Sequence, residues 1–250
     1  MILWVSIDDI AADNVDGKNP LADVRVRRAM NMAINRDAIK QVVMRGQSDP
    51  TGVIMPPFVN GWTAALNEFP ANDLDAARAL MAEAGFADGF DITLNCPNDR
   101  YINDEAICQA AVGMMAQIGI NVSLDSLPKA QHFPIAQSGD SDFYMLGWGV
   151  PTFDSHYIFN FLVHSRTDDR GSWNPTGFSN ADVDAMIVSL ESETDLAARD
   201  ETIGKIWQVI QEEQIYLPIH NQVLNWGMSD SINFDVQPED QPHFQFMTFN

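Results

Sequence analysis

Phe143-Tyr-Met-Leu-Gly-Trp-Gly-Val-Pro-Thr-Phe-Asp-Ser-His-Tyr-Ile-Phe-Asn-Phe-Leu162 is the stretch on which the fold turns. Phe143 to Leu146 reads as a short apolar strand that runs into Gly147-Trp148-Gly149. A strand ending in a glycine-flanked tryptophan sets a large flat ring where backbone can approach closely. The competing reading is a core tryptophan beside a turn. A loop with Pro151 and Asp154 follows, and then an aromatic-rich segment.

Upstream, a short helix near 129–137 leads to the strand at 143. Before it, Phe90, Ile92, Leu94 and Cys96 alternate with Asp91, Thr93 and Asn95, the pattern of a half-buried strand. A helix follows with Ile107, Ala111, Met114, Met115 and Ile118 inward, then a strand from Ile120 through Val122 and Leu124. This β-loop-α-β run predicts a mixed α/β lobe. Nearer the N-terminus, Val26, Ala29, Met30, Ala33 and Ile34 recur at helical spacing with Arg25, Arg27 and Arg28 flanking them. A second short helix covers about 36–44 and stops near Gly46. Another runs from Asp73 to Ala84 on the stripe Leu74, Ala77, Met81, Ala84, with Gly85 ending it. Residues 47–71 are irregular and hold Trp62. Residues 2–7 read as a strand and 8–20, rich in Asp, Asn and Gly, as a linker.

Downstream, Ser179 or Asn180 caps a helix carrying Val183, Met186, Ile187 and Leu190. Asp195 caps another with Ile203, Ile206, Trp207 and Ile210. Strands are expected near 216–219, 223–227 and 244–249.

The 250 residues can bury a real core as one large domain or two small ones. No apolar run approaches the length of a membrane span. A net charge of −21 argues against nucleic acid and anionic membranes as partners, and reads mainly as a solvated surface. Cys96 and Cys108 are too few for a disulfide scaffold; they form either one bridge or two buried thiols, and buried thiols are the favoured reading.

Further segments join the Gly-Trp stretch in one order along the chain. They are Asn19-Pro-Leu-Ala-Asp-Val-Arg-Val-Arg-Arg-Ala-Met-Asn-Met-Ala-Ile-Asn-Arg36, Asp73-Leu-Asp-Ala-Ala-Arg-Ala-Leu-Met-Ala-Glu-Ala-Gly-Phe86 and Gln214-Ile-Tyr-Leu-Pro-Ile-His-Asn-Gln222. Together they resemble the dipeptide-, oligopeptide- and nickel-binding receptors of bacterial ABC transporters, extracellular solute-binding protein family 5, in its C-terminal half. The resemblance implies a periplasmic-binding-protein-like (type II) α/β lobe with a mixed sheet, plus terminal strands that belong to another lobe. It implies residues 1–18 as crossover strand and linker, 19–213 as the second lobe, and 214–250 as return strands to the first. On that reading the chain is a fragment of a longer one or the product of a shortened gene. Residues 1–7 do not read as a signal peptide, which the resemblance places on the missing part.

The resemblance also implies a function. The chain would be the substrate-binding component of a periplasmic importer of peptides or related small solutes, with membrane permease subunits as partners. Arg100-Tyr101 matches a site where an arginine meets a ligand carboxylate, a role its planar fork suits; a surface arginine at a helix start is the alternative. Gly147-Trp148 matches a wall over which an extended peptide lies. The acidic position that grips a ligand's amino group falls near Pro151 here, and Asp154 better matches a structural aspartate. Trp173-Asn174 matches another cleft-facing loop. The alternatives are a hydrolase or other enzyme with an α/β lobe, and a receptor for a nickel complex or other non-peptide solute.

No phosphate loop, dinucleotide fingerprint or Gly-x-Ser-x-Gly elbow is present, and no histidine pair has metalloprotease spacing, so neither a cofactor nor a protein-bound metal is expected. The terminal aromatics Trp4, Trp226, Phe234, Phe244, Phe246 and Phe249, with Ile2 and Ile7, are expected to form an apolar face. That face is either paired within the chain or covered by a second copy, giving self-association.

Overall fold

The structure is a computed structural model that describes residues 1–5, 18–237 and 242–250. In chain order the elements are β1 (Ile2–Val5), α1 (Val24–Ala33), α2 (Arg36–Ala38, continued by a π-helical turn Ile39–Val43), β2 (Ser48–Pro50), α3 (Leu74–Glu83) and β3 (Phe90–Pro97). Then come α4 (Asp104–Ala116), β4 (Ile120–Leu127), α5 (Lys129–Ser138), β5 (Phe143–Leu146) and α6 (Ser155–Ile158, continued by a π-helical turn Phe159–Val163). The chain closes with α7 (Ala181–Ser189), α8 (Leu196–Glu213), β6 (Tyr216–Pro218), β7 (His220–Gln222), β8 (Ile232–Asn233) and β9 (Thr248–Phe249).

A five-stranded mixed sheet in the order β4-β3-β5-β1-β6 organises the molecule. β3 runs parallel to β4 and β5, whereas β1 is antiparallel to both β5 and β6. Both faces of the sheet are covered. On one, Leu3, Phe143, Met145, Leu94 and Leu217 pack with α1, α3 and α4. On the other, Ile2, Tyr144, Leu146 and Tyr216 pack with α6, α7 and α8. Alternation along β1 and β5 sends successive side chains to opposite cores, which is why Phe143 to Leu146 is apolar without a break.

Helix ends follow their caps. Asp73, Asn180 and Asp195 each accept a backbone N–H in the first turn, which leaves Asn180 and not Ser179 as the cap of α7. Of the arginines expected to flank α1, Arg27 is buried at 2% exposure. Its guanidinium donates to the Glu213 carbonyl at 2.8 Å, and Arg28 donates to that of Glu212 at 3.1 Å. Both satisfy carbonyls at the C-terminal end of α8 that no helical N–H can reach. Arg36, equally buried, donates to the carbonyls of Pro218 (2.8 Å) and Thr51 (3.3 Å). It thereby ties α2 to the strand returning at the chain's end.

Several expectations are corrected. Cys96 and Cys108 are joined in a disulfide, not left as thiols. Pairing in the sheet at one end and the start of α4 at the other brings sulfurs 12 residues apart together. Residues 223–229 form no strand, and 244–249 form a 3-10 turn (Phe244–Phe246) followed by the short β9. β1 pairs antiparallel with β6 (Tyr216–Pro218) and Ile2 is buried, but that strand carries none of the downstream aromatics expected in the apolar face. Trp226, Phe244, Phe246 and Phe249 are exposed and Phe234 is half-buried. Ile7 and the expected linker at 8–17 lie outside the described residues.

Candidate functional site

The C-terminal ends of the parallel strands β3 and β5 lie side by side, and the loops leaving them carry the residues singled out in the sequence. The first loop is held from several directions. The disulfide joins its flanks, and Asp104, at the start of α4, turns its carboxylate back on it. That carboxylate accepts the backbone N–H groups of Arg100 and Tyr101, each at 2.9 Å. The Arg100 guanidinium stacks over the Tyr101 ring, 4.8 Å from its centroid, with no carboxylate partner among the described residues.

Tyr101 joins this loop to the next. Its hydroxyl accepts the Gly147 N–H at 2.9 Å and lies 3.3 Å from the Gly147 carbonyl, to which it donates. Burial pushes its pKa up, so the phenol keeps the proton that second bond needs. The contact depends on glycine. A Cβ built at Gly147 would stand 2.7 Å from Cε1 of Tyr101 and 3.0 Å from Cζ. Gly147→Ala is therefore expected to expel the Tyr101 ring at a stability cost of about 1–3 kcal/mol. Thermal melting checks this, and on a Tyr101→Ala background the same substitution should cost little, because the ring it clashes with is gone.

Beyond Gly147, Trp148 sits in a wall of rings. Its centroid lies 5.8 Å from Tyr157, 6.1 Å from Phe161 and 6.2 Å from Trp173. Phe133 closes on Trp173 edge-on at 6.1 Å. The neighbouring His132 is fully buried, and its Nε2 donates to the Met145 carbonyl at 2.9 Å, pinning α5 under β5. The structure thus brings Arg100, Tyr101, Gly147, Trp148 and Trp173 into one continuous run of contacts. Tyr157, Phe161 and Phe133 are added by the structure; the aromatic richness after Asp154 is the sequence signal for Tyr157 and Phe161, and Phe133 lies in the helix expected near 129–137.

The other expected residues behave differently. Asn174 is 3% exposed. Its amide donates to the carbonyls of Val163, His164 and Phe178, and its own oxygen accepts from Thr176, so it folds the loop behind Trp173. Pro151 is exposed at the loop tip. Asp154 caps α6 through the His156 N–H and takes both terminal nitrogens of Arg199, each at 2.8 Å. Partial burial raises the Asp154 pKa. The hydrogen bond from Arg199, the His156 N–H, the Arg199 charge and the Asn60 amide together outweigh it and leave the pKa below the ordinary 3.8. A depressed carboxyl pKa contributes stability above the unfolded value, lost as pH falls through the folded one. Acid titration of stability below about pH 4 should therefore be shallower in Arg199→Gln than in the parent chain.

A family model for the bacterial extracellular solute-binding proteins, family 5 Middle, matches residues 9–170. The chain is 26% identical over 208 residues to the glutathione-binding protein GsiB of Salmonella choleraesuis, covering 81% of this chain and 40% of that protein. It is 25% identical over 232 residues to the dipeptide-binding protein of Escherichia coli, covering 91% of this chain and 43% of the relative. Its fold matches the dipeptide binding protein of a Pseudoalteromonas species in complex with Met-Leu at a TM-score of 0.82 and 20% identity. That match takes in 100% of this chain and 48% of the other. The chain spans between two fifths and one half of the length of these proteins.

Proposed function

Since the chain belongs to the bacterial extracellular solute-binding proteins of family 5, we propose that it is the solute-holding lobe of a periplasmic receptor serving an ABC importer. Residues 19–213 would form the lobe, and 1–18 and 214–250 the connections to a further lobe. Peptides or related small solutes would lie along the Tyr101–Trp148–Trp173 wall and be delivered to membrane permease subunits. The observation that carries this reading is the continuous ring wall with a free guanidinium, Arg100, at its end. An apolar ring-lined face beside a cation with no carboxylate partner among the described residues suits an extended solute with a terminal carboxylate. The relatives are named as binding proteins, which favours a receptor over a hydrolase.

Ligand class follows from the loop after Trp148. Pro151 offers no charge, and Asp154 is already committed to Arg199. The lobe supplies no free carboxylate there for a solute ammonium, so N-acetylated peptides are expected to bind as well as free ones. Calorimetric titration of matched pairs checks this; a strong preference for the free amine would contradict it. In the same titrations Trp148→Ala should weaken binding by about 1–3 kcal/mol through lost ring contact. Unchanged affinity would remove Trp148 from the site.

A further inference from the structure

We propose that the hollow beside α6 is a side-chain subsite that takes an uncharged aromatic or large apolar group of the solute. This rests on the receptor reading above and specifies it. The hollow, of about 400 Å³, is lined by Thr152, His156, Tyr157, Asn160 and Phe161, with the Asp154–Arg199 pair at its side. Pockets that enclose small ligands begin at about 300 Å³, so a phenyl or indole group with its backbone attachment fits.

Its walls select for ring or hydrocarbon. Tyr157 and Phe161 stand one helical turn apart with centroids at 4.8 Å, and both touch Trp148. The hollow therefore shares its rings with the proposed peptide wall. Its charged groups are matched among themselves: each oxygen of Asp154 meets one nitrogen of Arg199 at 2.8 Å. A charged group entering here would lose hydration and gain no free counter-charge. Burial lowers the His156 pKa, which keeps the imidazole neutral at neutral pH.

The hydroxyls of Thr152 and Tyr157, the His156 imidazole and the Asn160 amide are neutral groups in its lining, and the amide can be oriented. Arg170 approaches Asn160 at 3.3 Å, and because a guanidinium only donates, the amide oxygen must face it. That leaves the Asn160 Nδ2 pointing away, with no partner among the described residues. An N–H donor at the rim of a ring-lined hollow suits a peptide carbonyl adjacent to the buried side chain.

The test is a calorimetric series on the 250-residue chain with N-acetyl-trialanine, its variants carrying phenylalanine at each position in turn, and the matching glutamate variants. Phenylalanine at one position is expected to tighten binding roughly 10–100-fold over alanine, the range for burying such a side chain. Glutamate there should bind no better than alanine. Tyr157→Ala and Phe161→Ala should each collapse the phenylalanine-to-alanine ratio toward unity; Phe161→Leu, which keeps the helix packed, should reduce it partway. Trialanine binding without a phenylalanine preference at any position overturns the subsite alone, as does a preference that survives in all the variants. Failure of every peptide to bind the parent chain overturns the solute-cleft reading and the subsite with it.

Discussion

Trp207→Ala is expected to lower folding stability by about 3–5 kcal/mol, a large share of the roughly 5–15 kcal/mol that holds a typical domain folded. Trp207 is fully buried beneath α6, 5.0 Å from the Phe159 ring. Its indole N–H donates to the Ser155 hydroxyl at 3.0 Å, and that hydroxyl donates in turn to the Asn60 carbonyl. Truncation would open a void and strand a buried hydroxyl bond in one step. The loop beneath has no room to fill it, since a Cβ at Gly61 would already stand 2.5 Å from Ile203 Cγ2. Chemical denaturation measures the loss. Trp207→Phe should cost distinctly less, because most of the volume stays and only the hydrogen bond goes. α6 carries Tyr157 and Phe161, so the alanine variant should also loosen the wall behind Trp148.

Breaking the Cys96–Cys108 disulfide is expected to remove about 2–4 kcal/mol, the usual effect of freeing a short closed loop in the unfolded chain. The bond closes a separation of 12 residues. It lies in a dry sulfur cluster, with Cys108 Sγ 3.2 Å from Met145 Sδ. The loop it closes presents Arg100 and Tyr101. In the paired Cys96→Ala and Cys108→Ala variant, Asp104 alone would hold that loop to α4. Solute affinity should then fall about tenfold, since ordering one further residue on binding costs about 1–2 kcal/mol. Denaturation with and without reductant gives the first quantity and calorimetry the second. Equal stability in both conditions would show that the bond contributes nothing.

Much of this architecture was legible from residue order. Alternation marked β3, and caps marked α3, α7 and α8, because these signals are local and the fold reinforces them. The two-sided burial of β5 needed only its unbroken apolar run. What escaped the sequence depended on partners far along the chain. Arg27 reads from the sequence only as flanking the apolar face of α1; it is buried because α8, nearly two hundred residues later, ends with carbonyls against it. Cys96 and Cys108 read as thiols because spacing says nothing of the sheet and helix that bring them together. The residues at 223–227 read as a strand but pair with no strand among the described residues, and backbone groups without a neighbour do not form a ladder. In the candidate site, the sequence singles out Gly147, Trp148, Trp173 and the Arg100 loop as residues. It does not reveal their joining through the Tyr101 hydroxyl, because that link is set by the register of β3 against β5.

On the proposed reading, Trp148 and Trp173 form the surface on which a solute rests. Indole N–H resonances in nitrogen-edited proton spectra, recorded during titration with an N-acetylated peptide, test it most directly. The Trp148 and Trp173 signals are expected to shift together and saturate, while that of Trp207, sealed under α6, stays in place. Saturable binding that moves Trp62 or Trp226 and leaves Trp148 and Trp173 unshifted would contradict it.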